Sequence, residues 1–408
     1  MIDEIATKSL LFLRIVLNPE QQESIVFSAE EYKDIFIELQ NQTVLELSTS
    51  TLSKFSNIPE ELLSQWKKSI IAHFYHYTQY INIQKHIEKI FNDNEIPFVF
   101  IKGTSAACYY PHPEFRTMGD IDIITKREDI NKACSVLENM GFSRLQLSND
   151  FGRTIKFVKN NFEVEIHKYY ASLNDPEKAE YLDNLILENI NIESSKLPDK
   201  INGLVLLEHI SDHLEHGLGL RQIIDWMMYV RNCLDDNKWG SWFCLQAERI
   251  GLKKLAIVVT KMCQIYLGLE ETIQWCQSAD VNACEELISY IMASGNFGIK
   301  EAANVQKRET IEAMANNHGL FQMLHLLQKY GENNWELLKK YRFLKPFAWI
   351  YQIGRSIKKR ISNHTNAGEI IAEYRESKAR KELFDELGVK QFSKGLAVLK
   401  DDHFEIQK

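Results

Sequence analysis

The N-terminal part of the chain has a helical pattern of apolar and polar positions. Residues 28–42, SAEEYKDIFIELQNQ, begin with Ser28, and Glu31 follows three positions later, which is the spacing of a capping box at a helix N-terminus. A longer stretch that begins SQWKKSIIAHF keeps apolar residues at helical spacing until the polar run at 92–94. We therefore expect residues 1–93 to form a helical region.

The period of the pattern changes at Ile96. The apolar run IPFVFI is followed by a glycine and a proline-containing loop, and then by GDIDIIT, a second strand-like segment. A helical pattern ends near Gly141, and RTIKFVK and FEVEIH follow as two strands separated by Asn160 and Asn161, residues typical of tight turns. Residues 94–175 are therefore predicted to form an α/β core in the order β, short helix, β, α, β, β.

From residue 176 the pattern is helical again, with a polar break at ESSKLPDKINGL. We divide this part into a helical domain at 176–310, expected to complete a cleft with residues 94–175, and a C-terminal helical region at 311–408. The predicted fold class is α+β: a small mixed β-sheet core flanked by large N- and C-terminal helical regions.

Membrane and export signals are weak. No segment approaches the roughly 20 consecutive apolar residues of a membrane-spanning helix. The N-terminus, MIDEIATKSLLFLRIVL, starts acidic and is interrupted by Arg14, whereas a signal peptide starts with basic residues. For the aromatic and basic stretch KKYRFLKPFAWIYQIGRSIKKRI, a packed terminal helix is favoured over a membrane-surface or partner-binding helix. These features predict a cytoplasmic protein without a membrane span.

Charge and cysteine content narrow the functional classes. The formal net charge is -8. Because nucleic acids are also negatively charged, a long nucleic acid is the substrate class that this charge disfavours most. The 7 cysteines form no C-x-x-C pair, which indicates a reduced protein with neither a disulfide framework nor a cysteine zinc site.

Two carboxylates alternate with isoleucines in GDIDII. On a strand, residues two positions apart point to the same face, so Asp120 and Asp122 should project together. Carboxylates this close repel each other unless a cation or a proton lies between them. Oxygen ligands of this kind suit Mg²⁺ or Mn²⁺ together with substrate phosphates. With the acidic strand that follows, the pattern favours a metal site over a solvated sheet edge.

A third carboxylate is available on the strand FEVEIH. Glu163, Glu165 and His167 alternate with apolar residues and share one face. If this strand pairs beside the one that carries Asp120 and Asp122, either Glu163 or Glu165 reaches the same cation, and three carboxylates permit a two-metal centre. His167 is expected to orient a neighbouring carboxylate.

The segment FIKGTSAACYY supplies a strand, a glycine and small hydroxyl residues at the start of a short helix. The N–H groups of a helix N-terminus bind phosphate, so Gly103, Thr104 and Ser105 are predicted to form a phosphate loop. Lys102 and Arg116 flank this loop with positive charge, and an arginine can hold a phosphate with two hydrogen bonds.

The order of these motifs resembles the nucleotidyltransferases of the polymerase-β-like superfamily, and more narrowly a bacterial group described as uncharacterised nucleotidyltransferases. The similarity lies in FIKGTSAACYYPHPEFRTMGDIDII, followed by a helix, a hairpin and VEIH, and it covers residues 96–170. It implies that Asp120, Asp122 and Glu165 are catalytic metal ligands and that Gly103 and Thr104 form the phosphate loop. The chain has Gly-Thr where the superfamily usually has Gly-Gly or Gly-Ser.

The resemblance implies an enzyme that moves a nucleoside monophosphate from an NTP, with ATP as the expected donor, to an acceptor hydroxyl and releases pyrophosphate. Mg²⁺ or Mn²⁺ would be the cofactor, and the acceptor would be a small molecule or a protein. The alternative is a catalytically silent nucleotide-binding or regulatory protein on the same fold.

The helical segment EHISDHLEHGLGLRQIIDW allows a third hypothesis. A metal-dependent hydrolase would use His209, His213 and His216, but the segment has no H-E-x-x-H motif. Arg221 and Asp225 are four positions apart and are most simply an intrahelical ion pair.

Overall fold

The structure, a computed structural model, describes residues 2–20, 25–145, 153–173, 175–296, 300, 327–328, 331–332, 335–339, 341–362 and 367–389. These residues fall into two compact units. The first unit is Met1–Lys300 with Leu387–Val389, and the described part of the second unit lies within Glu301–Glu386. All the candidate functional residues belong to the first unit.

Helices form most of the first unit. They are α1 (Glu4–Leu17), α2 (Ala29–Asn41), α3 (Glu60–Asp93), α4 (Gly103–Ala107), α5 (Ile130–Asn139), α6 (Pro176–Glu188), α7 (Asp199–His216), α8 (Leu220–Cys233), α9 (Asp236–Lys238), α10 (Cys244–Arg249), α11 (Lys253–Leu267) and α12 (Val281–Ser294). The N-terminal helices pack against the later ones: Asn18, after α1, donates a hydrogen bond to the carbonyl of Leu267 at 2.8 Å.

The second unit contains the helices Ala348–Ser362 and Ala367–Glu386. In the aromatic stretch, Tyr351 stacks on Trp335 with ring centroids 4.8 Å apart, whereas Phe343 and Phe347 are exposed. Aromatic packing of this stretch is therefore partial. No helix in the described part of the chain combines the length and the apolarity that a membrane span requires.

The described strands form a five-stranded mixed sheet in the order β1-β2-β5-β4-β3. The strands are β1 (Phe98–Ile101), β2 (Ile121–Thr125), β3 (Ser143–Arg144), β4 (Thr154–Lys159) and β5 (Phe162–His167). β2 and β5 run parallel, and the other neighbours are antiparallel. The parallel pair lies inside the sheet, so each of its strands has a neighbour on both sides.

Buried apolar residues cover one face of the sheet. Ile121 and Ile123 of β2 pack with Val164 and Ile166 of β5 and with apolar residues of α3 and α5. Burying one such side chain stabilises the fold by about 1.5–3 kcal/mol. Because side chains alternate along a strand, Asp122 points to the opposite face.

Two local predictions from the sequence are confirmed, the capping box at Ser28 and the tight turn at Asn160 and Asn161. The Ser28 side chain accepts the N–H of Glu31, and the Glu31 carboxylate accepts the N–H of Ser28. Asn160 and Asn161 have φ of 50° and 66°, the left-handed backbone that a two-residue hairpin turn needs.

The predicted fold class, α+β with a small mixed sheet among helices, is confirmed, and so is the order of its elements. The structure adds the two-residue strand β3, which is too short and too exposed to show an apolar alternation. The division at 93, 175 and 310 stays a prediction.

Candidate active site

The register between β2 and β5 brings three polar side chains together. Asp122 pairs with Glu165, and Ile124 pairs with His167, so Asp122, Glu165 and His167 share the face opposite the apolar core. Their ligand atoms all lie within 4.8 Å of one another, and all three residues are buried. We name these residues the Asp–Glu–His cluster; in the part of the chain that the structure describes, it is the group able to hold a metal ion.

Asp122 is the centre of this cluster. Its Oδ1 accepts a hydrogen bond from Lys102 Nζ at 2.8 Å and lies 2.7 Å from His167 Nε2. Burial raises the pKa of Asp122, but the charges and hydrogen bonds of Lys102 and His167 outweigh burial and lower it overall. Asp122 is therefore an ionised carboxylate at neutral pH.

Glu165, rather than Glu163, belongs to the cluster. Lys156 lies opposite Glu165 on β4 and binds both carboxylates, Glu163 at 3.1 Å. The Glu163 side chain is 41% exposed against 9% for Glu165. Burial raises the pKa of Glu165, and the charges of Asp122 and Asp120 raise it further. An added cation would relieve this cost.

Asp120 precedes β2 by one residue and does not belong to the group of ligand atoms within 4.8 Å. The charge of Asp122 raises the pKa of Asp120, and burial adds to this effect. The backbone carbonyl of Asp120 accepts a hydrogen bond from the Tyr80 hydroxyl at 3.2 Å. Asp120 therefore lies directly before β2, close enough to Asp122 for the two carboxylates to repel each other.

The predicted phosphate loop is the turn from β1 into α4. Lys102 has φ 54° and Gly103 has φ 21°, a left-handed backbone that disfavours side chains. A Cβ atom on Gly103 would lie 2.5 Å from the Tyr80 hydroxyl. The turn directs Lys102 to Asp122, and α4 begins directly after it.

The hydroxyl groups of this loop have protein partners. Ser105 donates a hydrogen bond to the carbonyl of Phe100 at 2.6 Å, and Thr104 exchanges hydrogen bonds with Gln84 at 2.8 and 3.1 Å. The backbone N–H groups of the first helical turn are the groups that a helix leaves to outside partners. A phosphate at this loop would therefore contact backbone rather than the Ser105 hydroxyl.

Arg116 has a buried protein partner. Its Nε and Nη2 donate to the two carboxylate oxygens of Asp225, each at 2.7 Å, and the Tyr110 hydroxyl donates to the same carboxylate at 2.7 Å. We name Arg116, Asp225 and Tyr110 the arginine cluster. Asp225, expected to form only an intrahelical pair, thus binds Arg116 across 109 residues of sequence. A contact between Arg116 and a phosphate stays a prediction.

The histidines of α7 form a separate pair. The rings of His209 and His213 lie 4.5 Å apart, and both residues are buried. Burial lowers the pKa of His209, and His213 and Lys102 lower it further. The side chain of His216 lies outside the described residues. Among the side chains that are described, the candidate metal group contains none from α7.

His167 lies where an orienting group was expected: its Nε2 is 2.7 Å from Asp122 Oδ1, a hydrogen bond to a neighbouring carboxylate. The alternation along β5 placed it on the same face as Glu165. The pairing with β2 then brings the imidazole to the same carboxylate that Lys102 contacts.

Comparison with known families agrees with this geometry. The profile of the family described as uncharacterised nucleotidyltransferase matches residues 29–268, a span of more than half the chain that contains the whole sheet and the Asp–Glu–His cluster. No curated protein and no solved structure matches the chain. The chain belongs to the uncharacterised nucleotidyltransferase family.

Proposed function

We propose that the protein transfers a nucleoside monophosphate from an NTP, with ATP as the expected donor, to an acceptor hydroxyl on a small molecule or a protein. The observation that carries this proposal is the Asp–Glu–His cluster, which lies on two adjacent parallel strands. The chain that contains it belongs to a nucleotidyltransferase family. In the reaction, a bond forms between the acceptor oxygen and the α-phosphorus, and the bond to the departing pyrophosphate breaks.

The donor set fits a divalent cation. Asp122 and Glu165 offer buried carboxylate oxygens. Burial raises the pKa of Glu165, and the charge of nearby Asp120 contributes to this rise. Carboxylate oxygens together with substrate phosphates are the ligands that Mg²⁺ and Mn²⁺ take. Asp120, Asp122 and Glu165 would hold the ion, whose chemistry is to neutralise charge on the phosphates and to increase the acidity of a bound hydroxyl.

The chain's own residues supply positioning and proton transfer. Lys102, released from Asp122, would pair with the β- and γ-phosphates, and the N–H groups of Gly103 and Thr104 would donate to them. Glu165 would also be available to accept the proton of the acceptor hydroxyl as a general base. Catalysis would then come from orientation and from fixed charges around the phosphates.

The test is label transfer from each of the four NTPs labelled at the α-phosphate, with Mg²⁺ or Mn²⁺ and pools of hydroxyl compounds and proteins as acceptors. We expect transfer from at least one NTP, with release of pyrophosphate. Asp122→Asn should reduce transfer by roughly 100-fold or more. Glu163→Gln is the matched control, because Glu163 contacts the same lysine but lies outside the cluster.

A specific observation favours the silent alternative as second candidate. The ammonium group of Lys102 already lies on Asp122 Oδ1, the position that a cation would need. If Lys102 keeps this contact when nucleotide binds, the protein binds NTP without turnover. Nucleotide binding with no transfer to any acceptor pool would support this alternative. Transfer unaffected by Asp122→Asn would contradict this alternative and also the assignment of the reaction to the Asp–Glu–His cluster.

A further inference from the structure

We propose that His167 is itself a metal ligand, and that the site it completes selects Mn²⁺ over Mg²⁺. The inference rests on the proposed metal site and goes beyond it, because the family resemblance assigns the ion to carboxylates alone. It concerns which atoms bind the ion and which ion they prefer.

The position of the imidazole suggests a ligand. His167 Nε2 lies 2.7 Å from Asp122 Oδ1 and 3.8 Å from Glu165 Oε2, so one nitrogen atom faces both carboxylates. Adjacent ligand atoms of an octahedral ion with bonds of about 2.0–2.1 Å lie roughly 3 Å apart, so the hydrogen bond between His167 and Asp122 would lengthen slightly to admit an ion. The His167 side chain is 9% exposed, and its backbone is fixed by pairing with Ile124.

The position of Lys102 marks where a cation would bind. Its ammonium group lies 2.8 Å from Asp122 Oδ1, the oxygen atom that also faces His167. Two positive or proton-donating groups therefore converge on a single carboxylate oxygen. For a metal ion to be held there, Lys102 must leave Asp122, and His167 must present an unprotonated Nε2 with its ring proton on Nδ1.

The combination of oxygen and nitrogen ligands determines the preference of the site for Mn²⁺ over Mg²⁺. Mg²⁺ favours oxygen ligands and keeps several waters, whereas imidazole nitrogen favours transition-metal ions. Two carboxylates with one imidazole, Asp122, Glu165 and His167, therefore suit Mn²⁺, a transition-metal ion that also takes carboxylate oxygen, better than Mg²⁺. A site with carboxylates alone would lack this discrimination.

The test is pulsed electron paramagnetic resonance of the full chain with Mn²⁺, recorded with and without a non-hydrolysable ATP analogue. We expect nitrogen hyperfine coupling to Mn²⁺, with the ¹⁵N pattern when the protein carries ¹⁵N-histidine. His167→Gln keeps a hydrogen-bond donor for Asp122 but has no imidazole, so the coupling should disappear. His209→Gln, the control from the α7 pair, should retain it.

A competition experiment measures the preference. The Mg²⁺ concentration that displaces half of the bound Mn²⁺ should fall by at least roughly tenfold in His167→Gln, the scale on which losing a metal-site contact acts. A His167 that only orients Asp122 would weaken both ions alike and leave the ratio unchanged.

The outcomes separate the inference from the proposed function. Mn²⁺ that binds without nitrogen coupling, or with coupling that survives in His167→Gln, would overturn the role of His167 while leaving a carboxylate metal site. Mn²⁺ binding that is absent, or unaffected by Asp122→Asn, would overturn the inference together with the proposed metal site.

Discussion

Two of the buried groups of charged residues in the described part of the first unit differ in how their charges are balanced. In the arginine cluster, both oxygens of Asp225 receive hydrogen bonds from Arg116, and Tyr110 donates a third. In the Asp–Glu–His cluster, burial and neighbouring carboxylates raise the pKa of Glu165, although Lys156 contacts it. The first group is complete without a ligand, whereas the second would gain from a cation. The two groups therefore differ in whether protein partners alone balance the buried charge.

The largest effect is expected from breaking the arginine cluster. Asp225→Asn leaves the Arg116 charge buried without its carboxylate, and removing one partner of a buried pair costs about 3–5 kcal/mol. Urea unfolding at pH 7 measures this loss. The control is Asp93→Asn, which breaks the exposed pair with Lys89 and should cost less than about 1 kcal/mol. Equal losses in the two variants would contradict the contrast.

Glu208 extends the comparison to a third buried charge. Its carboxylate accepts the N–H of Ser172 at 2.5 Å, but burial, with a contribution from Asp212, raises its pKa to about 8. A raised pKa gives stability that is complete below about pH 4.5, the pKa of an unfolded glutamate, and is lost as pH rises through 8.

Replacing Glu208 by glutamine should therefore flatten the dependence of stability on pH. Glu208→Gln should be more stable than wild type at pH 9, by a few kcal/mol at about 1.4 kcal/mol per pKa unit, and similar to it at pH 4.5. Urea unfolding across this range tests the difference, with the exposed Glu188→Gln expected to follow wild type. If the stability of wild type relative to Glu208→Gln does not fall between pH 5 and 8, the pKa of Glu208 is not raised.

A smaller effect is expected at the turn that positions Lys102. In Gly103→Ala the new Cβ would lie 2.5 Å from the Tyr80 hydroxyl, at φ 21°, so the variant should lose about 1–3 kcal/mol through overpacking. Thermal unfolding measures this loss of stability. Gly240→Ala is the control, since no atom lies within 4 Å of a Cβ there, and its stability should not fall in the same way.

The smallest effect on stability is expected inside the Asp–Glu–His cluster. Because folding raises the pKa of Glu165, its charge is unfavourable in the metal-free protein, and Glu165→Gln should be within about 1 kcal/mol of wild type or more stable. Urea unfolding in the presence of a chelator tests this. A loss as large as that of Asp225→Asn would mean that Glu165 is structural.

Much of the fold follows from local pattern, because its elements are strongly periodic. The alternation in GDIDII predicts that Ile121 and Ile123 are buried and that Asp122 faces away from them, as observed. The capping box at Ser28 and the turn at Asn160 are also local signals. Such features depend on residues close in sequence, so one sequence suffices to find them.

The site depends on contacts between distant segments, which local pattern does not determine. The choice between Glu163 and Glu165 required the β2–β5 register, since a shift by two residues keeps the same face but changes the partner of Asp122. In the same way, no local signal links Arg116 with Asp225, because they come from elements far apart in the chain.

The most direct test of the central claim is calorimetric titration with Mg²⁺ and with Mn²⁺, each with a non-hydrolysable analogue of ATP and, where that is silent, of GTP, CTP and UTP. It compares wild type, the Asp120→Asn and Asp122→Asn double variant, Glu165→Gln and Glu163→Gln. We predict metal-dependent nucleotide binding in wild type and Glu163→Gln, and its loss in the double variant and in Glu165→Gln. Binding that is absent from wild type with all four nucleotide analogues, or that persists in the double variant, would contradict the assignment of these carboxylates to a nucleotide–metal site.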